Sequence, residues 1–225
     1  MESKQPTRHG LNMDRSQRAV VETATLDWEA SPATGVWRKK LEREGRESGQ
    51  VTSVVRYAPG SRFSPHDHPL GEEIFVLSGV FADDAGAYPA GTYLRNPPGS
   101  RHAPFSTEGC ELLVKLDQFD PDDRERVCIR TDESAWLPGL VDGLSVLPLH
   151  EFGAEHTALV RWAPGTRFKP HMHPGGEEIF VLDGTFEDES GVYPKGAWLR
   201  NPSYSRHEPF SRSGCTIFVK TGHIC

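Results

Sequence analysis

An all-β chain built from two tandem domains, each a small sandwich or barrel, is the fold class this sequence predicts, and three observations carry the expectation. First, the segment Gly60-Ser-Arg-Phe-Ser-Pro-His66-Asp-His68-Pro-Leu-Gly-Glu72 returns as Gly165-Thr-Arg-Phe-Lys-Pro-His171-Met-His173-Pro-Gly-Gly-Glu177, with a lone histidine downstream of each, His102 and His207. The offset between the copies is 105 residues at every one of these positions, so no insertion separates them. Second, 39 of the 63 positions in 54–116 are identical to their counterparts in 159–221. That is more than a shared fold alone requires, so the copies share chemistry as well as shape. Third, short apolar runs such as residues 73–77, 91–95 and 110–115 are separated by Pro-Gly, Ser-Gly and Ala-Gly punctuation. Many short strands with frequent turns indicate all-β layers.

In chain order, residues 1–18 are polar and unpatterned and are expected to form a flexible N-terminal tail. The first domain spans 19–117, opening with an arm that carries Trp28 and continuing into the strand 51–57. Residues 118–126 are charged and contain Asp-Pro, the composition of a linker. The second domain spans 127–225, with Trp136 on its arm and its matching strand at 156–162. The last residues, His223 to Cys225, are expected to fray.

At 225 residues and 36% hydrophobic, the chain can hold two modest cores of roughly 100 residues each. A net charge of −7 with scattered basic residues offers no stripe for a phosphate backbone, so nucleic acid is not expected as a partner. No apolar run approaches the roughly 18 residues a membrane span needs, and the polar N-terminus has no signal-like apolar region. A cytoplasmic protein is expected. The four cysteines include no C-x-x-C spacing and form no disulfide framework.

Alternate side chains on a strand face the same way, so His66 and His68 can look into a barrel while Asp67 looks out, and likewise His171 and His173. Glu72 and Glu177 open the next strand, and His102 and His207 arrive from a neighbouring one. Four donors then converge in each repeat, and the expected cofactors are two divalent metal ions. Imidazole and carboxylate suit Zn, Fe, Ni, Mn or Cu. Three histidines and one glutamate leave a divalent ion with one net positive charge, and coordination beyond four leaves room for a small-molecule ligand. Glu73 and Glu178 face the other side of their strands and are assigned to structural hydrogen bonds.

Five further residues are candidates for substrate contact or for support of the ligands. Arg95 and Arg200 either hold a substrate carboxylate bidentately or pair with Asp83 and Asp188. Cys110 and Cys215 are small buried hydrophobes or redox-sensitive thiols near the metal. The turn Pro97-Pro98-Gly99 becomes Pro202-Ser203-Tyr204, and tyrosine rarely tolerates the positive φ that glycine allows. A different turn shape, a phenol directed toward the second pocket and unequal access to the two metals are expected. Tyr88 and Tyr193 are expected as packed turn residues.

The motif Gly60-x5-His66-x-His68-x3-Glu72-x6-Gly79, followed by Gly91-x5-Pro97-x-Gly99-x2-His102, resembles both motifs of the cupin superfamily. The second copy supplies Gly165, His171, His173, Glu177, Gly184, Gly196, Pro202 and His207. The chain is similar to a bicupin and, through its Gly-Glu-Glu-Ile-Phe-Val-Leu, Tyr-Pro-x-Gly, Arg-Asn-Pro and Ser-Arg-His segments, to the cupin-like domain of the ChrR anti-sigma factor. Acetylacetone dioxygenase is a neighbouring family. The resemblance implies two tandem jelly-roll β-barrels with a metal in each, zinc in the regulator and iron in the diketone-cleaving relatives. It implies a metal-binding bicupin, either a metal-dependent dioxygenase acting on a small chelating substrate such as a diketone or a zinc-binding sensor module without catalysis. In the sensor, Cys110 or Cys215 responds. Residues 1–18 contain no cysteine and no helical zinc-binding domain, so sigma-factor binding is not expected. An isomerase or sugar-binding role finds no general base beside the ligands. Single cupins pair, so the tandem chain is expected as a monomeric pseudo-dimer or as a homodimer.

Overall fold

The computed structural model describes residues 10–45 and 49–224. They form 24 strands and a single 3-10 turn, gathered into two ten-stranded and two two-stranded sheets. Each repeat is a jelly-roll barrel, and the alternation of side chains along its strands explains how two barrels join. In the strand Glu72–Asp83, Ile74 and Val76 point into the first barrel, where they pack with Tyr57, Phe81, Leu94 and Leu112. Phe75 points out of it, into a separate core shared with Phe180, Trp198 and Phe218 of the second repeat. The strand is buried on both faces, which is why residues 74–77 are apolar without a break. The matching strand Glu177–Asp188 divides its side chains in the same manner, with Ile179 and Val181 inside the second barrel. Three cores result: one in each barrel and one between them.

That middle core carries buried charge. Lys115 of the first repeat reaches Glu178 of the second at 2.5 Å, and Lys220 of the second reaches Glu73 of the first at 3.0 Å. Burial alone would raise the Glu73 carboxyl, but Lys220, then Arg95, then the Tyr93 hydroxyl bring it down to about 2. Glu73 and Glu178 therefore face away from the histidines and bind the two barrels to each other. Removing one partner of such a pair would strand the other charge in an apolar interior.

The repeats also exchange their first strands. Ala19–Glu22 pairs antiparallel with Ala197–Asn201 of the second repeat, and Val127–Arg130 with Thr92–Asn96 of the first. Each donated strand covers an edge that would otherwise present unpaired backbone groups. The division at residues 19 and 127 is one of sequence: in space each barrel's sheet includes a strand from the other's stretch of chain. The segment 118–126 is packed, with Phe119 and Asp123 buried and Asp123 accepting hydrogen bonds from Arg95 and from His150 Nε2.

Residues 10–18 do not form the expected flexible tail. The Leu11 carbonyl accepts from Arg43 N, Asn12 Nδ2 donates to Leu41 O, and Arg15 pairs with Glu42 at 3.0 Å. Residues 1–9 of the expected tail lie outside the described residues. Nor does the C-terminal end fray: Ile224 is buried, its N–H donates to Gly175 O, and His223 Nε2 lies 3.2 Å from Glu178. Cys225 lies outside the described residues. No helix among the described residues is long and apolar enough to cross a membrane.

Candidate metal centres

The two-residue period of a strand assembles the first centre. His66–His68 pairs antiparallel with Ser100–His102, and in this register His102 lies directly opposite His66. His66 and His68 share one face, while Asp67 points out to Arg101 at 3.1 Å. His68 Nε2 and His102 Nε2 are 3.0 Å apart, and Glu72 Oε2 is 3.4 Å from each. One ligand atom from each of His66, His68 and His102 falls within a 4.8 Å cluster. Two donors bound to one ion at about 2.1 Å lie about 3.0 Å apart at a right angle and about 3.4 Å apart at the tetrahedral angle. The cluster therefore has the size of a single coordination sphere, and its donors could hold a divalent metal.

The surrounding groups fix the tautomers that ligation needs. His66 Nδ1 lies 2.9 Å from the Ser64 carbonyl, and His102 Nδ1 lies 3.2 Å from Asp83 Oδ2, so each ring keeps its Nε2 lone pair for the centre. Asp83 is itself held by the Tyr88 hydroxyl at 3.0 Å and by Ala85 N at 2.9 Å. Glu72 accepts from Asn96 Nδ2 at 3.0 Å, because the register places Asn96 opposite it.

The second centre repeats the donor set with a different support. His171 lies opposite His207, with His171 Nε2 2.9 Å from His173 Nε2 and 3.3 Å from His207 Nε2. Glu177 approaches His173 at 3.3 Å and His207 at 3.5 Å, and Asn201 donates to it at 3.0 Å. Asp188, however, is taken by Arg18 at 2.6 Å as well as by Tyr193 at 2.9 Å. Among the described residues the buried His207 Nδ1 has no hydrogen-bond partner. Arg18 comes in on the exchanged arm. Arg126, which holds the same place before the other exchanged strand, is exposed and leaves Asp83 to His102.

Burial, with the neighbouring imidazoles adding to it, pushes His207 down to about 3 and His173 to about 4. Burial also lowers His68. These rings are neutral at neutral pH, the state that binds a metal. His102 goes the other way: burial opposes protonation, but the Asp83 hydrogen bond and then the Glu72 charge raise it. Burial pushes Glu177 up to about 7.

The spaces beside the centres differ as well. The first opens onto a cavity of about 530 Å³ and the second onto one of about 190 Å³. At matching registers Trp162 replaces Tyr57 and Leu144 replaces Val36, both bulkier. The sites are thus unequal, but Tyr204 is not the reason. Its φ of 62° matches the left-handed conformation of Gly99 at 82°, and both backbone N–H groups donate to the histidine carbonyl at the same place, His173 O and His68 O. The turn shape is kept, and the phenol, 67% exposed, does not line the second cavity.

Arg95 and Arg200 require correction too. Both are fully buried at the domain interface, line neither cavity and reach neither Asp83 nor Asp188. Arg95 pairs with Glu73, Asp123 and Glu155 and stacks 3.8 Å over Phe119. Arg200 pairs with Glu42 and donates to the carbonyls of Asn12 and Asp14. Cys110 and Cys215 are buried, and burial raises each thiol to about 11, with Ser106 and Ser211 acting weakly against it. They are small core residues without thiolate character. Asp83, Asn96 and Arg18 are parts of the site that sequence reasoning missed. Asn96 could have been found, since it sits two residues from Leu94 on the barrel-facing side of its strand.

Comparison with known proteins agrees with this geometry. The family model of the ChrR cupin-like domain matches residues 16–120 and again 124–225, and the chain belongs to this family. No curated protein matches the sequence. Among solved structures, a protein of Nostoc punctiforme proposed to be a dioxygenase superposes with a TM-score of 0.77 at 18% identity, covering 92% of this chain and 82% of that one. Salicylate 1,2-dioxygenase of Pseudoaminobacter salicylatoxidans gives 0.69 at 12% identity, with 92% and 81% covered. Oxalate decarboxylase of Lactobacillus farciminis gives 0.66 at 14%, with 92% and 86% covered. At these identities the likeness is one of fold: two tandem cupin barrels.

Proposed function

We propose that this chain is a metal-dependent dioxygenase that acts, at its first centre, on a small substrate chelating through two oxygens, such as a β-diketone. One observation carries the reading: His66, His68, Glu72 and His102 converge on a point that opens into a cavity of about 530 Å³, room that a sealed structural site does not keep. A divalent metal held by these four residues would supply Lewis acidity and open coordination positions. The chain's own groups hold the donors in place: Asp83 fixes the His102 ring and Asn96 the Glu72 carboxylate. Phe63, Val55 and Phe81 line the cavity with apolar surface beside the donors. The fold shared with a dioxygenase and a decarboxylase supports the reading without choosing the substrate. The redox-sensor alternative loses support from the buried, protonated state of Cys110 and Cys215.

The test begins with the metal content of protein purified without added metal. Oxygen uptake by the iron-loaded chain is then followed with small diketones, 2-oxo acids and phenolics. Uptake with one substrate class, abolished by His68→Ala, is the expected result. Tightly held zinc together with no uptake from any class overturns it.

A further inference from the structure

We infer that the groove between the two barrels is a separate binding site for a small carboxylate with an apolar body, and that Arg161 is the residue that holds the carboxylate. The groove encloses about 560 Å³ and shares no lining residue with the cavity beside either metal centre. Matching residues of both repeats line it, Leu77 with Leu182 and Gly91 with Gly196, so it lies on the axis that relates the two copies. A volume of this size suits a small organic molecule. The inference stands on residues outside both metal centres and does not depend on the reaction proposed above.

The first repeat shows what Arg161 lacks. Arg56 stacks 4.0 Å over Trp28, and Glu111, its register partner on the adjacent strand, accepts from its Nε at 2.9 Å and from its Nη2 at 2.7 Å. Arg161 is the counterpart of Arg56 and stacks in the same way, 4.1 Å over Trp136. Its register partner, however, is Thr216, which carries no charge. Among the described residues no carboxylate pairs with Arg161. Arg161, Trp136 and Thr216 all line the groove. A stacked guanidinium still presents its N–H edge to a planar acceptor, so a ligand carboxylate would take in the second repeat the place that the Glu111 carboxylate takes in the first.

The other charges of the wall are matched. Glu111 serves Arg56, Asp132 accepts from Arg130 at 2.8 Å, and Asp183 pairs with Lys195 at 3.5 Å. An anion entering the groove therefore meets its one unmatched charge, a cation, at Arg161 among the described residues. The same wall offers apolar surface at Leu77 and Leu182, both only half-buried. The ligand that suits both features has a carboxylate at one end and a ring or short hydrocarbon at the other.

The experiment uses the full chain loaded with zinc and a matched pair of probes, 4-fluorobenzoate and its neutral isostere 4-fluorobenzamide, followed by fluorine NMR. One equivalent of the benzoate is expected to bind about tenfold more tightly than the amide, the low end for a hydrogen bond to a charged group because Arg161 is exposed. Arg161→Gln is expected to remove that preference and Arg56→Gln to leave it unchanged. Thr216→Glu supplies from within the chain the carboxylate that the first repeat uses. It is expected to block the benzoate while Arg161 stays in place and Tm is unchanged or raised, which separates occupancy of the site from folding. The bound equivalent is expected to persist in the His66→Ala and His171→Ala chains. No saturable binding of the benzoate at millimolar concentration, equal affinity for the amide, or a preference that survives either Arg161→Gln or Thr216→Glu overturns the assignment. Binding lost with either histidine substitution overturns it too, since the carboxylate would then sit on a metal.

Discussion

The two metal centres carry the same donors in the same register, and what separates them stands one layer behind. At the first, Asp83 supports His102; at the second, Arg18 occupies Asp188 and, among the described residues, the buried His207 Nδ1 has no hydrogen-bond partner. A histidine whose far nitrogen donates to a carboxylate is the stronger and better oriented ligand. Around the first centre Tyr57 and Val36 leave space that Trp162 and Leu144 fill around the second. Duplication preserved what holds a metal and let diverge what tunes it and what reaches it. Both exchanged strands bring an arginine to the matching place, and the difference is that Arg18 reaches Asp188 whereas Arg126 stays exposed.

The most damaging test of this contrast is removal of a donor from each side. His68→Ala and His173→Ala are each expected to lower metal content from two ions per chain to one. Oxygen uptake is expected to vanish only with His68→Ala, so equal loss of turnover in both variants breaks the contrast. A smaller effect is expected from the supporting carboxylates. Asp83→Asn should weaken metal binding at the first centre roughly 10- to 100-fold, the usual cost of losing a histidine's carboxylate partner. Asp188→Asn should leave the second centre nearly unchanged, because its carboxylate serves Arg18. Chelator competition, run in a His171→Ala chain for Asp83 and a His66→Ala chain for Asp188, reads each centre alone.

Arg18→Met sharpens the same comparison from the other direction. Without the guanidinium, Asp188 is free to accept from His207 Nδ1, as Asp83 does from His102. Metal affinity at the second centre is then expected to rise by about tenfold, the low end of the range for such a partner. No change, measured by the same competition in the His66→Ala chain, would mean that the His207 ring does not need a carboxylate partner.

The donors and the barrels were legible in the sequence because both are local: a two-residue period, a constant offset, and glycines at fixed turns. Gly79 and Gly184 show why those glycines recur, since a side chain at either would meet the carbonyl of Gly109 or Gly214. What the sequence hid is nonlocal. Arg95 and Arg200 sit beside Asn96 and Asn201, yet strand alternation sends the arginines into the interface and the asparagines to the ligands. Their partners Asp123 and Glu42 lie outside the 63 residues that repeat at a constant offset, so that offset does not reveal them. Arg18 is farther still, separated from Asp188 by 170 residues in a stretch that looks like tail. Composition cannot distinguish an arm that docks from one that does not, because docking here is done by backbone pairing.

The smallest expected effect concerns the one turn where the repeats differ most in residue type. Tyr204 holds a φ of 62°, and a residue with a Cβ loses about 1–2 kcal/mol there relative to glycine. Glycine loses more conformational freedom on folding, which offsets about 0.5–1 kcal/mol of that gain. Tyr204→Gly is therefore expected to stabilise the chain by about 0.5–1 kcal/mol, a Tm rise of about 1–4 °C at this chain length. The ring points to solvent, so metal affinity and ligand access at the second centre should not move with it. A gain in Tm with unchanged metal affinity leaves the cavity walls and Arg18 as the source of the asymmetry. A change in second-centre affinity would return Tyr204 to the site and overturn the account that places the difference behind the donors.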